Sequence, residues 1–163
     1  MAIRIASGLA DTTLVARTLT VSKLVLVASP AYVNSHGLPR TAQELDGHRL
    51  LAFIGASSDW ELCPPRGAPV KVTPTGQFNT NTLSALHAAA LAGAGIACFT
   101  QATVRANFAQ GQLVSILPNY SLGQRHYFAL YPQSRYLAPN VRAFVDYMAD
   151  FYAPQGQTVS AHG

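Results

Sequence analysis

Residues 78–99 read FNTNTLSALHAAALAGAGIACF, and this stretch decides how the rest of the chain is interpreted. Leu83, Leu86 and Ala90 are spaced to share one face of a helix. The interval is rich in alanine, which has the highest helix propensity of all residues. Residues 96–99 are apolar and follow a glycine pair, which is typical of a short buried strand. The stretch therefore predicts a helix that leads directly into a strand.

Two features bound this helix. Asn81 or Thr82 can cap its start, because a short side-chain oxygen accepts a hydrogen bond from the first-turn amides. Gly93 can end the helix in a left-handed turn. The helix start carries open amides and a partial positive charge, so it could hold a small anion, although an ordinary capped core helix has the same pattern. The order helix-then-strand differs from the dinucleotide fingerprint, which runs from strand into helix.

Composition restricts the class of protein. The chain has 163 residues, 49% of them hydrophobic and 11% charged, which suits one large domain or two small lobes with a packed core. The formal charge is +4, and the arginines are scattered, so no nucleic-acid footprint is predicted. No apolar run is long enough to span a membrane and the start lacks a signal peptide, so we expect a cytoplasmic protein.

Catalytic and metal-binding patterns are weak. Cys63 and Cys98 are far apart and lack metal-ligand spacing, so they are predicted to be buried thiols, and neither a metal nor a cofactor is expected. The five histidines lack a carboxylate at a telling spacing. Asp59 and Glu61 would share one face of a strand, where they could act as a general acid and base, although a solvated strand face is much the better explanation. We predict that the chain is not an enzyme; a small α/β enzyme that uses Cys98 or this carboxylate pair is the alternative.

Strand and helix patterns alternate along the chain, which predicts an α/β fold. Strands are expected over 1–6, 22–28, 49–54, 59–63, 70–78, 96–99, 113–117 and 125–131, and helices from Pro30, from a Thr41–Glu44 capping box, from Asn81 or Thr82, from Thr100 and from Pro139. Residues 14–22 and 117–124 are extended and flank a self-sufficient middle. The predicted units are therefore 23–117 as one lobe, 1–22 with 118–153 as the other, and 154–163 as a flexible tail.

Neutral hydrogen-bond donors are placed near the predicted strand ends. They are Ser7, Asn79, Thr80, Asn81 and Thr100. Such groups suit the binding of a small anion or polar molecule without reaction, and simple capping or turn formation is the competing explanation.

At this point the residues resemble a known family, the effector-binding domain of LysR-type transcriptional regulators. The resemblance covers nearly the whole chain, from about Ile3 to Tyr152. Its landmarks occur in family order: AIRIASG at 2–8, LVAR at 14–17, VLVASPAY at 25–32, LDGH at 45–48, the loop and helix at 81–96, GQLV at 111–114, YFALYP at 127–132 and VRAFVD at 141–146. No single one of these motifs is specific for the family. The resemblance rests on their order and spacing together.

The resemblance implies a fold like that of type 2 periplasmic binding proteins, in which two hinged α/β lobes enclose a small-molecule cleft. It implies that Ser7 and Gly8 line the first lobe, that Asn79, Thr80 and Asn81 line the second, and that Thr100 is a further candidate. The expected partner is a small-molecule effector, with a small anion or carboxylate as the candidate class. A stand-alone small-molecule-binding protein of the same fold is the alternative function.

The sequence also departs from the family pattern. The winged helix-turn-helix and the opening elements of the first lobe are missing, so lobe I is expected to be incomplete. DNA binding is expected only through a domain not present in this chain. The exposed edge of the incomplete lobe is expected to favour self-association.

Overall fold

The computed structural model describes residues 2–6, 14–54, 59–75, 78–132 and 139–152. Within these residues the strands are β1 (Ala2–Ala6), β2 (Leu14–Ala28), β3 (Ala52–Phe53), β4 (Trp60–Leu62), β5 (Val70–Val72), β6 (Asn79–Thr80), β7 (Ala97–Thr100), β8 (Val114–Ile116) and β9 (Gln124–Pro132). The helices are α1 (Pro30–His36), α2 (Leu83–Leu91), α3 (Gln101–Ala109) and α4 (Pro139–Tyr152), with a 3-10 helix at Gln43–Gly47. This mixture confirms the predicted α/β class.

The chain divides into two compact units. One unit consists of Met1–Ser22 with Gln124–Gly163, and the other of Lys23–Gly123. The predicted boundary lies at 117/118, whereas the compact units divide at 123/124. Residues 118–123 join the 23–123 unit because Leu122 is buried in its core and Ser121 pairs with Cys63. The assignment of the two units to an incomplete lobe I and a lobe II stays a prediction.

Unit 23–123 is built on a mixed sheet. Its strand β3 pairs in parallel with β6, and the adjoining Leu50 forms a parallel bridge with Ile96, directly before β7. Strand β7 pairs antiparallel with β2, which also pairs antiparallel with β8. The strands β3, β6 and β7 therefore point in the same direction, and their carboxyl ends lie at one edge of the unit.

Both faces of this sheet are buried. Along β2, Leu26 and Ala28 belong to one core cluster, whereas Val27 belongs to the other. Strand side chains alternate between faces, so the apolar run at Leu24–Val27 supplies both. The first cluster contains Tyr32 of α1 and Trp60 of β4, and the second contains residues of α2 and α3. The prediction of a strand covered on both sides is confirmed.

In the unit formed by 1–22 and 124–163, the described elements are β1, the first part of β2, β9 and α4. Strands β1 and β9 pair antiparallel, with Ala2 opposite Leu130 and Ala6 opposite His126. Strand β9 also neighbours β2 in the sheet order. Helix α4 begins at Pro139, as its sequence predicts, and its Asp146 accepts a charge-assisted hydrogen bond from Arg17.

Two local predictions were wrong. The strand expected over 70–78 ends at Val72, and a new strand begins only at Asn79, because Pro74 in the interval has no amide for a strand ladder. The predicted capping box at Thr41–Glu44 does not begin an α-helix. Glu44 accepts instead from the Arg40 amide at 2.9 Å and the Thr41 hydroxyl at 3.3 Å, and the 3-10 helix begins after Ala42, which makes no side-chain cap.

Candidate functional site

The candidate site lies at the edge of unit 23–123 where the parallel strands end. The strand β3 is followed by Ile54, whose amide donates to the Thr80 carbonyl at 2.7 Å. Strand β7 ends at Thr100, which stands opposite Leu24 of β2. The Leu24 amide donates to the Gly123 carbonyl at 3.0 Å, so both termini of the unit are also at this edge. In α/β sheets, ligands bind outside the carboxyl ends of the strands.

Two helices begin at the same edge. Helix α2 follows β6 directly and contacts β3, β6 and β7, while α3 follows β7 without an intervening residue. The cap residues are Thr82 and Thr100, and neither side chain bonds to the first-turn amides of its helix. No acidic side chain lies in the first turn of either helix, so no carboxylate there offsets the partial positive charge of the helix start. Together these starts suit a small anion.

The side chains of 79–81 and Thr100 form polar walls on this edge. Thr80 Oγ1 accepts from the Thr82 amide at 3.2 Å and lies 3.3 Å from Thr82 Oγ1. This turn fixes the chain between β6 and α2 and leaves Asn81 exposed. Thr100 Oγ1 lies 2.8 Å from Thr103 Oγ1, one turn into α3. The hydroxyls are thus held in place by short local contacts.

Apolar surface lies beside these polar groups. Ile54 is 59% exposed and Leu83, the first residue of α2, is 48% exposed. Apolar side chains beside polar groups can contact the apolar part of a ligand. The arrangement can therefore hold a molecule with one anionic or polar end and one apolar part. Neither residue was predicted for the site, because nothing local in the sequence shows that strands β3 and β6 lie side by side.

The structure brings together four of the six predicted site residues. Asn79, Thr80 and Asn81 lie at the end of β6, and Thr100 lies at the end of β7, on the same edge. Ser7 and Gly8 lie outside the described residues. Of the two predicted caps for α2, Thr82 rather than Asn81 occupies the cap position, and its side chain makes no capping bond.

The carboxylate pair has a structural explanation. Asp59 accepts from Thr73 Oγ1 at 2.7 Å and pairs with Lys71 Nζ at 2.7 Å, across the β4–β5 hairpin. The hydrogen bond from Lys71, followed by that from Thr73, holds the pKa of Asp59 below its ordinary value. Asp59 is therefore a carboxylate at neutral pH and is poorly suited to donate a proton as a general acid.

The cysteines differ partly from expectation. Cys63 and Cys98 carry thiols and do not form a disulfide, as predicted, but both are half-buried rather than buried. Cys63 is the residue after β4, where its backbone pairs with Ser121, and Cys98 packs at the margin of the first core cluster. In the described part of the chain, no three histidine, cysteine, aspartate or glutamate side chains are grouped closely enough to hold a metal ion. Of the helices described, none has the length and apolar composition needed to cross a membrane.

In α/β proteins, small molecules bind at the edge of the sheet where parallel strands end, so the fold and the site fit a small-molecule-binding domain. Residues 1–153 match the family described as LysR substrate binding domain, so the chain belongs to that family. This domain is the ligand-sensing part of LysR-type transcriptional regulators. Both the predicted family and the predicted fold, like that of type 2 periplasmic binding proteins, are confirmed.

Relatives in sequence are transcriptional regulators. CrgA of Neisseria meningitidis is 32% identical over 148 residues, which cover 89% of this chain and 49% of CrgA. The activator AaeR of Escherichia coli is 28% identical over 151 residues, which cover 92% of this chain and 49% of AaeR. The chain thus spans about half the length of these curated relatives.

Solved structures give the same assignment. The structure of CrgA is similar with a TM-score of 0.82 and 28% identity, over 93% of this chain and 52% of that one. The full-length Vibrio cholerae virulence activator AphB is similar with a TM-score of 0.80 and 29% identity, over 92% of this chain and 51% of that one.

Proposed function

We propose that this domain senses a small carboxylate or comparable anion at the strand-end edge of unit 23–123, and releases it chemically unchanged. The observation that carries the proposal is the convergence of two helix starts, the turn at 79–81 and Thr100 on one edge. Membership in the LysR substrate binding domain family supports it independently. The resemblance-based assignment of Ser7 and Gly8 to ligand binding is retained as part of the proposal.

The chemistry of the edge favours an amphipathic effector. Hydroxyl and amide groups with two helix starts would bind the anionic end. Ile54 and Leu83 would cover the apolar part, for example an aromatic ring. Neutral donors at such a site bind an anion without offering it a nucleophile or a proton-transfer partner. This absence of reactive groups among the proposed contacts underlies the inference that the domain is not an enzyme.

In a regulator of this family, the bound effector would change DNA binding by a separate helix-turn-helix domain. We propose the same role for the protein to which this domain belongs, with a cytoplasmic location and self-association. Relative movement of the two units about the chain crossings at 22–23 and 123–124 would be the means of transmission.

A calorimetric titration with acetate, benzoate and sulfate tests the proposal. We expect benzoate to bind more tightly than acetate, because it adds apolar area. The substitution Asn81→Ala should weaken benzoate binding by about 1–3 kcal/mol, or roughly five- to 160-fold, because it removes a hydrogen bond to the charged group. The matched control is Asn34→Ala, which changes an exposed asparagine on α1, after the opposite end of β2.

Equal weakening by Asn81→Ala and Asn34→Ala would contradict the placement of the site. Binding of none of the three probes by the folded chain would contradict the proposed effector class. The same titration applied to Ser7→Ala tests the retained assignment of the outer unit, and an unchanged affinity there would remove Ser7 from the site.

A further inference from the structure

The hydroxyl of Tyr32 lies at the centre of a polar cluster remote from the strand-end edge, in which Tyr32 is buried, His48 is half-buried and His36 is exposed. Tyr32 is 2% exposed, and its Oη accepts from the Arg49 backbone amide at 2.9 Å. The same Oη lies 3.1 Å from His48 Nδ1. The ring of His36 stacks on the Tyr32 ring, with centroids 4.3 Å apart and an interplanar angle of 10°.

The proton positions follow from the hydrogen-bond requirements of these groups. Since Tyr32 Oη already accepts from Arg49, its own proton is available for His48 Nδ1, which accepts it when the imidazole is neutral and protonated on Nε2. The Arg49 amide then donates to Tyr32 Oη, and the Tyr32 hydroxyl donates to His48 Nδ1. His36 lies outside this exchange, because its Nδ1 is 3.3 Å from the Tyr32 carbonyl and must donate to it.

Protonation of His48 breaks this arrangement. An imidazolium has hydrogens on both nitrogens, so Nδ1 can no longer accept from Tyr32. The tyrosine hydroxyl would then face two donors, and its own proton would lose the acceptor that His48 provides. A buried donor without a partner is costly.

We propose that Tyr32, His36 and His48 form a proton-sensitive latch, which holds residues 48–49 on helix α1 at neutral pH and loosens them when His48 takes up a proton. The latch reaches the sheet through Arg49, whose carbonyl accepts from the Ile96 amide at 2.8 Å. Loosening would therefore act on the strand connection between Leu50 and Ile96.

The groups around His48 favour its neutral form. Burial, and then the positive charge that His36 can carry on α1, lower the pKa of His48 below the ordinary 6.5, and only Glu44 of the 3-10 helix opposes the shift. Asp46 and Arg49 are its other ionisable neighbours in sequence. Because the folded-state pKa is the lower one, the unfolded chain takes up the proton first. The stabilisation is therefore complete above the ordinary pKa and is lost as the pH falls towards the folded-state pKa.

Thermal unfolding of the full chain from about pH 8 to about pH 5 tests the latch. We expect the midpoint of the wild-type chain to fall on acidification, and the fall to be smaller in His48→Asn. The asparagine oxygen occupies the position of Nδ1 and can accept from Tyr32, but it does not titrate. The control is His87→Gln, which changes a half-buried histidine that bonds to Asn107 at 2.8 Å in the same unit, and should leave the wild-type pH dependence unchanged.

An identical pH dependence in the wild type and in His48→Asn would overturn the proposal. If His48→Asn does not fold, an NMR titration of His48 in the wild-type chain decides instead: a pKa below that of an exposed histidine supports the latch, and one at or above it refutes the latch. Amide exchange corrected for the intrinsic rate supplies a local readout. Acid should reduce protection of the Arg49 amide more than that of the Cys63 amide, which bonds to Ser121 in another part of the unit.

Discussion

At the scale of single residues, Gly95 shows how one missing side chain permits the strand arrangement that carries the site. A Cβ at this position would stand 2.3 Å from the Arg49 carbonyl oxygen. That carbonyl accepts from Ile96, and the Leu51 amide donates to the Ile96 carbonyl, each at 2.8 Å. The close approach of the two backbones therefore requires glycine.

The sequence predicted the conformation of Gly93 but not the role of Gly95. A left-handed glycine after a helix is a local pattern, and Gly93 has a φ of 78° as expected. Gly95 is constrained by Arg49, which is distant in the sequence, and no local pattern shows that contact. The cluster around Tyr32 was predictable only in part. The i, i+4 spacing of Tyr32 and His36 on a helix is visible in the sequence, whereas the contact of Tyr32 with His48 is not.

Replacing Gly95 by alanine should destabilise the chain by about 1–3 kcal/mol, because the added methyl group forces the strands apart. Urea unfolding monitored by circular dichroism measures the change. Gly47→Ala is the matched control, since a Cβ there meets nothing within 4 Å, and it should stay within about 0.5 kcal/mol of the wild type. Equal stability of the two variants would contradict the close approach at Gly95.

At the scale of secondary structure, helix α2 joins the core to the candidate site. Its buried face contributes Leu86 and Ala90 to the second core cluster, as their spacing predicted. Its first residue, Leu83, has the same spacing but is half exposed at the strand-end edge. Periodicity identified the helix correctly, but it could not separate a residue that faces the core from one at the end that extends past the sheet. That difference depends on where β3 and β6 end.

Two leucine substitutions on α2 should therefore have different effects. Leu86→Ala is expected to cost about 2–5 kcal/mol of unfolding free energy, because Leu86 is only 1% exposed and its removal leaves a cavity. Leu83→Ala should change stability by less than about 0.5 kcal/mol. It should nevertheless weaken benzoate binding in the titration proposed above. A loss of stability in Leu83→Ala as large as that in Leu86→Ala would show that Leu83 is a core residue.

At the scale of the whole molecule, unit 23–123 contains a complete core. Among the residues that the structure describes, every member of both buried clusters lies between Leu24 and Leu122. The sequence predicted a self-sufficient middle from its extended flanks, but the final turn at 118–123 was assigned to the other unit. Its packing depends on the pairing of Ser121 with Cys63, a contact between distant parts of the chain that sequence patterns do not reveal.

The segment 23–123 expressed alone should therefore fold into a stable unit. A domain with its own hydrophobic core can fold independently. We expect cooperative thermal unfolding and dispersed amide resonances that match those of the same residues in the full chain. The shorter segment 23–117 is the matched comparison and should be less stable, because it lacks Leu122 and the Cys63–Ser121 pairing. Failure of 23–123 to fold under conditions in which the full chain folds would contradict the self-sufficient core.

The central claim is that an anionic effector binds where the parallel strands of this unit end. Amide chemical-shift mapping of the labelled full chain during titration with benzoate tests it most directly. We predict that the largest shifts occur at 81–84 and 100–103, with little change at 29–32 beyond the opposite end of β2. Shifts concentrated at 29–32 or on the β4–β5 hairpin, with the strand-end edge unaffected, would contradict the account.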